Sequence, residues 1–323
     1  MAVDEEDTSS QDWRAAVASP LDLPTFQPLS STAAIEVAGL SMCGRLQRDN
    51  TDHFLAIRLG RLQETLATSL SAGDLPPRFE EYAYAMLVAD GLGGHGTGAR
   101  ASRLALSTLA HLAIRYGKWN VRVGADSASD IIEQGEFFYR QISDAMAQAA
   151  RADFRLADMA TSLTAVYIAG ADLFFAHLGH SRAFLFRNGV LIQLTMEHTL
   201  ERLISASAAL RRARLEARRP RASEQRTPEV AADAAGPRQD APEVSIEHVQ
   251  LWSGDRVLMC TDGLSEVVQE ERIAEMLAAQ RSPGEDCRRL VDLALSSGAT
   301  DSVTVVIADY RTSRVQGPAA AVF

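Results

Sequence analysis

Residues 83–105 read AYAMLVADGLGGHGTGARASRLA, three patterns in succession. Ala83 to Ala89 is a short apolar run of the length and density of a buried strand. Asp90 closes it, and glycines at 91, 93, 94, 96 and 98 make a turn. Beyond Gly98, the residues Ala101, Leu104, Ala105, Leu109, Leu112 and Ala113 share one helical face until Gly117 stops it. A strand, a glycine-rich turn and a helix in that order also fit a dinucleotide-binding loop, through Gly91-x-Gly93-x-x-Gly96. Two features oppose that use. Asp90 stands where a pyrophosphate would approach, and the next acidic candidate, Asp126, is 30 residues past Gly96 instead of about 20. A carboxylate followed by a glycine carbonyl suits a hard cation better.

The flanking sequence predicts which fold holds this unit. A second helix is expected in SDIIEQGEFFYRQISDAMAQAAR, capped by Ser129, with Ile131, Phe138, Ile142, Ala145, Met146 and Ala149 as its buried stripe. SLTAVYIA, DLFFAHLG, RAFLFR and VLIQLT follow as an antiparallel meander, and Asn188-Gly189 is a type I′ hairpin signal. DRVLMCTDG (255–263) and DSVTVVIADY (301–310) read as two more strands with an amphipathic helix over 271–295 between them. Residues 1–34 form an arm without a stable period, 201–242 an Arg/Ala-rich helix running into a Pro/Gly-rich excursion, and 313–323 a tail. The order predicts an α+β domain over 35–312, layered on antiparallel sheets, in place of a regular βαβ alternation.

Composition narrows the function. The chain has 323 residues, 46% of them hydrophobic, and a formal charge of −10, which disfavours nucleic-acid binding as its main task and favours a divalent cation as partner. Cys43, Cys260 and Cys287 are an odd, widely spaced set without a CxxC pair, read as reduced thiols. The N-terminus is acidic where a signal peptide would be basic, and no run nears the ~18 apolar residues of a membrane span; the expectation is a cytoplasmic protein without membrane contact.

Asp90 has companions. Asp52 lies in RDNTDHF, Asp262 in CTDGL after one strand, and Asp301 in ATDSVTVV before another. A charge beside an apolar strand is costly unless it meets solvent, a partner or a metal. Together the four suggest a two-metal hydrolytic site that activates water for in-line phosphoryl displacement.

NTDHF, VADGLGGHGTGARAS, ATSLTAVYIAGADLFFAHLGHSRAFLFRNGVLIQLTMEHTL, GDRVLMCTDGLSEVV and TDSVTVVI resemble, in order and spacing, the motif series of the type 2C metal-dependent serine/threonine protein phosphatases. The resemblance covers about residues 38 to 310 and implies a four-layer α-β-β-α sandwich with Mg²⁺ or Mn²⁺ at one end. It implies Asp52, Asp90, Asp262 and Asp301 as metal-ligating acids, Gly91 as the backbone-carbonyl ligand, and a metal-bridging water as nucleophile, so that no Ser, Cys or His nucleophile is needed. It further implies a phosphoprotein substrate, a counteracting serine/threonine kinase, a bacterial setting and a monomer.

The chain departs from the family pattern at several positions. The phosphate-binding arginine aligns with Gln47, flanked by Arg45 and Arg48, either of which could take its place after a one-residue backbone shift. Thr51 stands where an acid usually precedes Asp52, and Leu92 where some members carry a histidine general acid; His95 matches no catalytic position. LGHSR has His180 where an aspartate would help bind a third metal with Glu266, and MEHTL has Glu197 for Asp before His198. An imidazole favours borderline transition metals over Mg²⁺, so the third site is expected to be weakened or switched in preference. The expected function is hydrolysis of phosphoserine and phosphothreonine; the alternative is a phosphatase-like regulatory or binding module that has lost turnover.

Overall fold

The computed structural model describes residues 33–71, 78–93, 96–117, 125–195, 204–205 and 246–312. Nearly all of the arm, most of the excursion, the tail, and with them His95, Glu197 and His198, lie outside the described residues. In chain order the strands are β1 (Ala33–Met42), β2 (Asp52–Glu64), β3 (Arg78–Leu92), β4 (Ala160–Thr161), β5 (Leu163–Ala169), β6 (Asp172–Leu178), β7 (Arg182–Arg187), β8 (Val190–Gln193), β9 (Ile204–Ser205), β10 (Ile246–Gln250), β11 (Arg256–Cys260) and β12 (Val303–Thr312). Helices α1 (Thr97–Tyr116) and α2 (Ala125–Ala152) separate β3 from β4, and α3 (Asp262–Ser265), α4 (Glu270–Ala278) and α5 (Pro283–Ser296) separate β11 from β12.

Every strand pairing is antiparallel, in two sheets. One runs β1-β12-β11-β7-β8; the other runs β10-β6-β5-β3-β4-β9, with β2 also paired to β3. Alternate residues of each central strand feed different cores, because successive side chains point to opposite faces. Val306 and Ala308 of β12, Met259 of β11 and Met86 and Val88 of β3 meet between the sheets. Val303, Val305 and Ile307 of β12 turn outward onto Leu277, Leu290 and Val291 of α4 and α5. Leu87 and Ala89 of β3 turn outward onto Ala105, Leu109, Ile142 and Met146 of α1 and α2. The near-continuous apolar runs seen in the sequence are strands covered on both faces. This is the expected helix–sheet–sheet–helix sandwich, and among the described residues there is no parallel crossover of the kind a dinucleotide site uses.

Three local expectations are corrected. α2 begins at Ala125, so Ser129 lies inside the helix and does not cap it; a long helix packed along its apolar face can start ahead of its best capping residue. The helix expected over 271–295 is two, α4 and α5, parted at 279–282 where Gln280 takes φ 48°. The signal was Ser282-Pro283-Gly284-Glu285, a capping box with Pro at the first helical turn, which overrides the running period. β10, just past the excursion, was not anticipated, because an edge strand reading IEHVQ has one polar face and little apolar density. The Asn188-Gly189 hairpin is as expected, with φ of 52° and 83° and Arg187 paired to Val190.

Candidate metal centre

Antiparallel register carries the four acids to one end of the sandwich. Asp52 opens β2 and lies directly across from Asp90 near the end of β3. Cys260, the last residue of β11, pairs with Val305 of β12, so Asp262 just after β11 and Asp301 just before β12 emerge at the same end of their sheet. Hydroxyl groups from one sheet hold the acid of the other. Thr261 and Thr304 Oγ1–H donate to Asp52 Oδ2 at 2.7 and 2.9 Å, across the interface between the sheets. Ser41 and Asn50 extend the network, Asn50 Nδ2 donating to Ser41 Oγ and Ser41 Oγ lying 2.7 Å from Thr304 Oγ1.

Asp90 is held through its backbone. Its N–H donates to Ser162 Oγ at 3.2 Å and its carbonyl accepts from Ser162 N at 2.8 Å and Thr161 Oγ1 at 2.8 Å. Ser162 Oγ in turn lies 2.6 Å from Ser181 Oγ, so the serine of the His180-Ser181-Arg182 triplet braces the Asp90 strand across the sandwich. The glycines after Asp90 are needed for close approach. A Cβ on Gly91 would lie 1.9 Å from the Gly98 carbonyl oxygen, and one on Gly98 would lie 2.3 Å from that of Gly91, so only glycines let the first turn of α1 sit on β3.

Burial and like charge govern the electrostatics. Asp52 is pushed up to about 7, chiefly by burial and against the pull of the two threonine hydroxyls. Asp90, directly across from Asp52, is raised well above the usual carboxylate range by burial and then by the charges of Asp52 and Asp262. Asp262 is pushed up to about 6 by burial and by Asp301 and Glu266, while His180 pulls it down. Glu266 N–H donates to the Asp262 carbonyl at 2.8 Å, and His180 is near enough for its charge to act on Asp262. Asp52 Oδ1, Asp262 Oδ1 and His180 Nε2 are buried without a hydrogen-bond partner among the described residues. Buried acceptor oxygens left unpaired among mutually repelling acids are what a bound hard cation would satisfy, and the all-oxygen donor set suits Mg²⁺ or Mn²⁺. Among the described residues no three His, Cys, Asp or Glu side chains already enclose a single ion position.

The remaining sequence candidates fall as follows. Arg45 and Arg48 are exposed, and their side chains make no hydrogen bond or ion pair with a described residue, whereas Gln47 between them donates from Nε2 to Asp301 Oδ1. The loop is anchored, Arg45 N–H to Ala299 O at 3.3 Å and Leu46 N–H to Thr300 O at 3.4 Å, which opposes a one-residue slip. Cys260 and Cys287 are pushed up to about 12 by burial and stay thiols. Thr261, Thr304, Ser162 and Ser302 were overlooked. Each lies within three residues of a motif acid or, for Ser162, beside the strand that faces it; hydroxyls facing a neighbouring strand's acid carry no periodic signal.

Residues 78–295 match the model of the protein phosphatase 2C family, and the chain belongs to that family. The serine/threonine protein phosphatase PstP of Mycobacterium tuberculosis is 33% identical over 224 residues, a match spanning 69% of this chain but only 40% of that relative's length. The serine/threonine phosphatase stp of Listeria monocytogenes is 27% identical over 224 residues, 69% of this chain and 83% of the relative. A crystal structure of the catalytic domain of PstP in complex with two manganese ions superposes with a TM-score of 0.58 at 28% identity, covering 87% of this chain and all of that one. Among the described residues no helix is long and apolar enough to cross a membrane.

Proposed function

We propose that the chain is a metal-dependent protein serine/threonine phosphatase, acting on phosphoserine and phosphothreonine of protein substrates and opposing a serine/threonine kinase in a bacterial cell. The observation that carries the reading is the gathering of Asp52, Asp90, Asp262 and Asp301 at one end of the sandwich, with two buried carboxylate oxygens left unpaired. Asp52, Asp90, Asp262 and Asp301, with the Gly91 carbonyl, would hold two divalent cations, Mg²⁺ or Mn²⁺. When bound, such cations supply Lewis acidity that activates water and offsets charge on a transferring phosphoryl group. The chain's own residues do the rest by position. Thr261 and Thr304 keep Asp52 from turning away, and Ser162 and Ser181 fix the Asp90 backbone. Arg45 and Arg48, exposed on either side of Gln47, would meet the phosphate's negative charge. His180 and Glu266 beside Asp262 would form a weaker third site with a leaning towards transition metals.

The alternative, a phosphatase-like binding module, draws on Gln47 and His180 at positions where the family has Arg and Asp. One assay decides between them: hydrolysis of a phosphothreonine peptide with Mn²⁺, comparing the wild type with Asp90→Asn and Asp262→Asn. The enzyme reading expects metal-dependent turnover that falls at least about 10³-fold in either variant. Wild-type turnover no higher than that of the variants would leave the binding module.

A further inference from the structure

We infer that Gln47 is a positioning residue for Asp301, holding one carboxylate oxygen so that the other faces the metal centre. The inference rests on the metal-centre reading above. Asp301 Oδ1 accepts from its neighbour Ser302 N at 2.7 Å and from Gln47 Nε2. The far end of the Gln47 amide is fixed too, because Ser302 Oγ–H donates to Gln47 Oε1. Ser302 Oγ meanwhile accepts from Thr51 N–H at 3.2 Å. Thr51 N–H, Ser302 Oγ–H and Gln47 Nε2–H therefore form a directed chain ending on Asp301.

The direction follows from donor and acceptor inventory. A carboxylate oxygen accepts only, so the amide nitrogen must face Asp301; a flipped amide would set two acceptor oxygens against each other. Ser302 is buried and spends its hydroxyl proton on Gln47, which locks the amide in that sense. With two donors on Oδ1, Asp301 has Oδ2 free to ligate. The same engagement turns the Gln47 amide nitrogen to the carboxylate, leaving at most one N–H for any other acceptor. Residues bonded to metal-ligating groups in this way change metal affinity by about 10–100-fold when lost.

The test is Mn²⁺ affinity measured by isothermal titration calorimetry on the full chain, with the thermal midpoint of the metal-free protein as the fold check. Gln47→Met keeps the length and removes the donor; its dissociation constant should rise about tenfold. Gln47→Arg restores an N–H donor of sufficient reach and should stay within about threefold of wild type. An unchanged constant in Gln47→Met overturns the inference, and an equal loss in both variants marks a packing role and overturns it as well. A wild type that binds no Mn²⁺ instead refutes the metal centre itself, so the two failures are told apart.

Discussion

His180 stands where the resemblance in LGHSR implies an aspartate. Its imidazole stands beside Asp262, lowers that acid's proton affinity, and has a buried Nε2 with no partner among the described residues. Replacing it with a carboxylate changes both the charge and the hardness of the group. His180→Asp should raise the proton affinity of Asp262 in the metal-free protein and lower the Mg²⁺ concentration for half-maximal turnover about tenfold, because oxygen donors suit Mg²⁺ better than imidazole. A Mg²⁺ titration of phosphopeptide hydrolysis reads this directly, and an unchanged half-saturation point would show that the third site does not limit the reaction. The identity of the residue was plain from the motif LGHSR, but its neighbours were not: Asp262 is 82 residues away in sequence.

At the scale of elements, the site depends on where helices and strands begin. α5 starts at Pro283 because Ser282 Oγ accepts from Glu285 N–H while Glu285 Oε2 accepts from Ser282 N–H. That start sets Leu290 and Val291 against Val303 and Ile307 of β12, the strand that follows Asp301. Ser282→Ala should lower stability by about 1 kcal/mol in urea unfolding while Mn²⁺ affinity stays unchanged, since the cap is remote from the acids. Near the opposite end of β12, Arg256 ties β11 to its neighbours through Asp309 at 2.6 Å and Asp286 at 2.8 Å, and donates to the Leu277 and Arg281 carbonyls. The guanidinium is almost fully buried with its partners, so it clamps the α4–α5 break onto the sheet. Strand and helix types were largely legible because burial on both faces writes long apolar runs. The break between α4 and α5 was legible only to capping chemistry, and β10 scarcely at all.

For the whole molecule, two sheets that fold against each other bring four acids to one end, two of them buried and two half-buried, and this makes stability depend on pH and cations together. Asp52 and Asp262 have folded-state values of about 7 and about 6 against 3.8 for an ordinary aspartate. Between about pH 4 and 7 the folded metal-free protein therefore binds more protons than the unfolded chain. As far as these groups decide it, its stability should be greatest at and below about pH 4, and fall as pH rises towards 7, by on the order of a few kcal/mol in total. Saturating Mn²⁺ replaces the lost protons, so the gain in thermal midpoint on adding Mn²⁺ should be larger at pH 7.5 than at pH 5. Differential scanning calorimetry at the two pH values checks both signs; a metal-free midpoint that rises with pH would contradict the burial of these acids.

The sequence by itself determined the family pattern, the layered antiparallel architecture and the identity of the four acids, because short apolar strands, glycine turns and strand-end carboxylates are local features. Only the tertiary structure decided that Thr261 and Thr304 grip Asp52, that Ser181 braces Asp90 through Ser162, and that Gln47 turns to Asp301. Those contacts join residues up to 254 positions apart, and a hydrogen bond's direction exists only once both partners have been brought within reach.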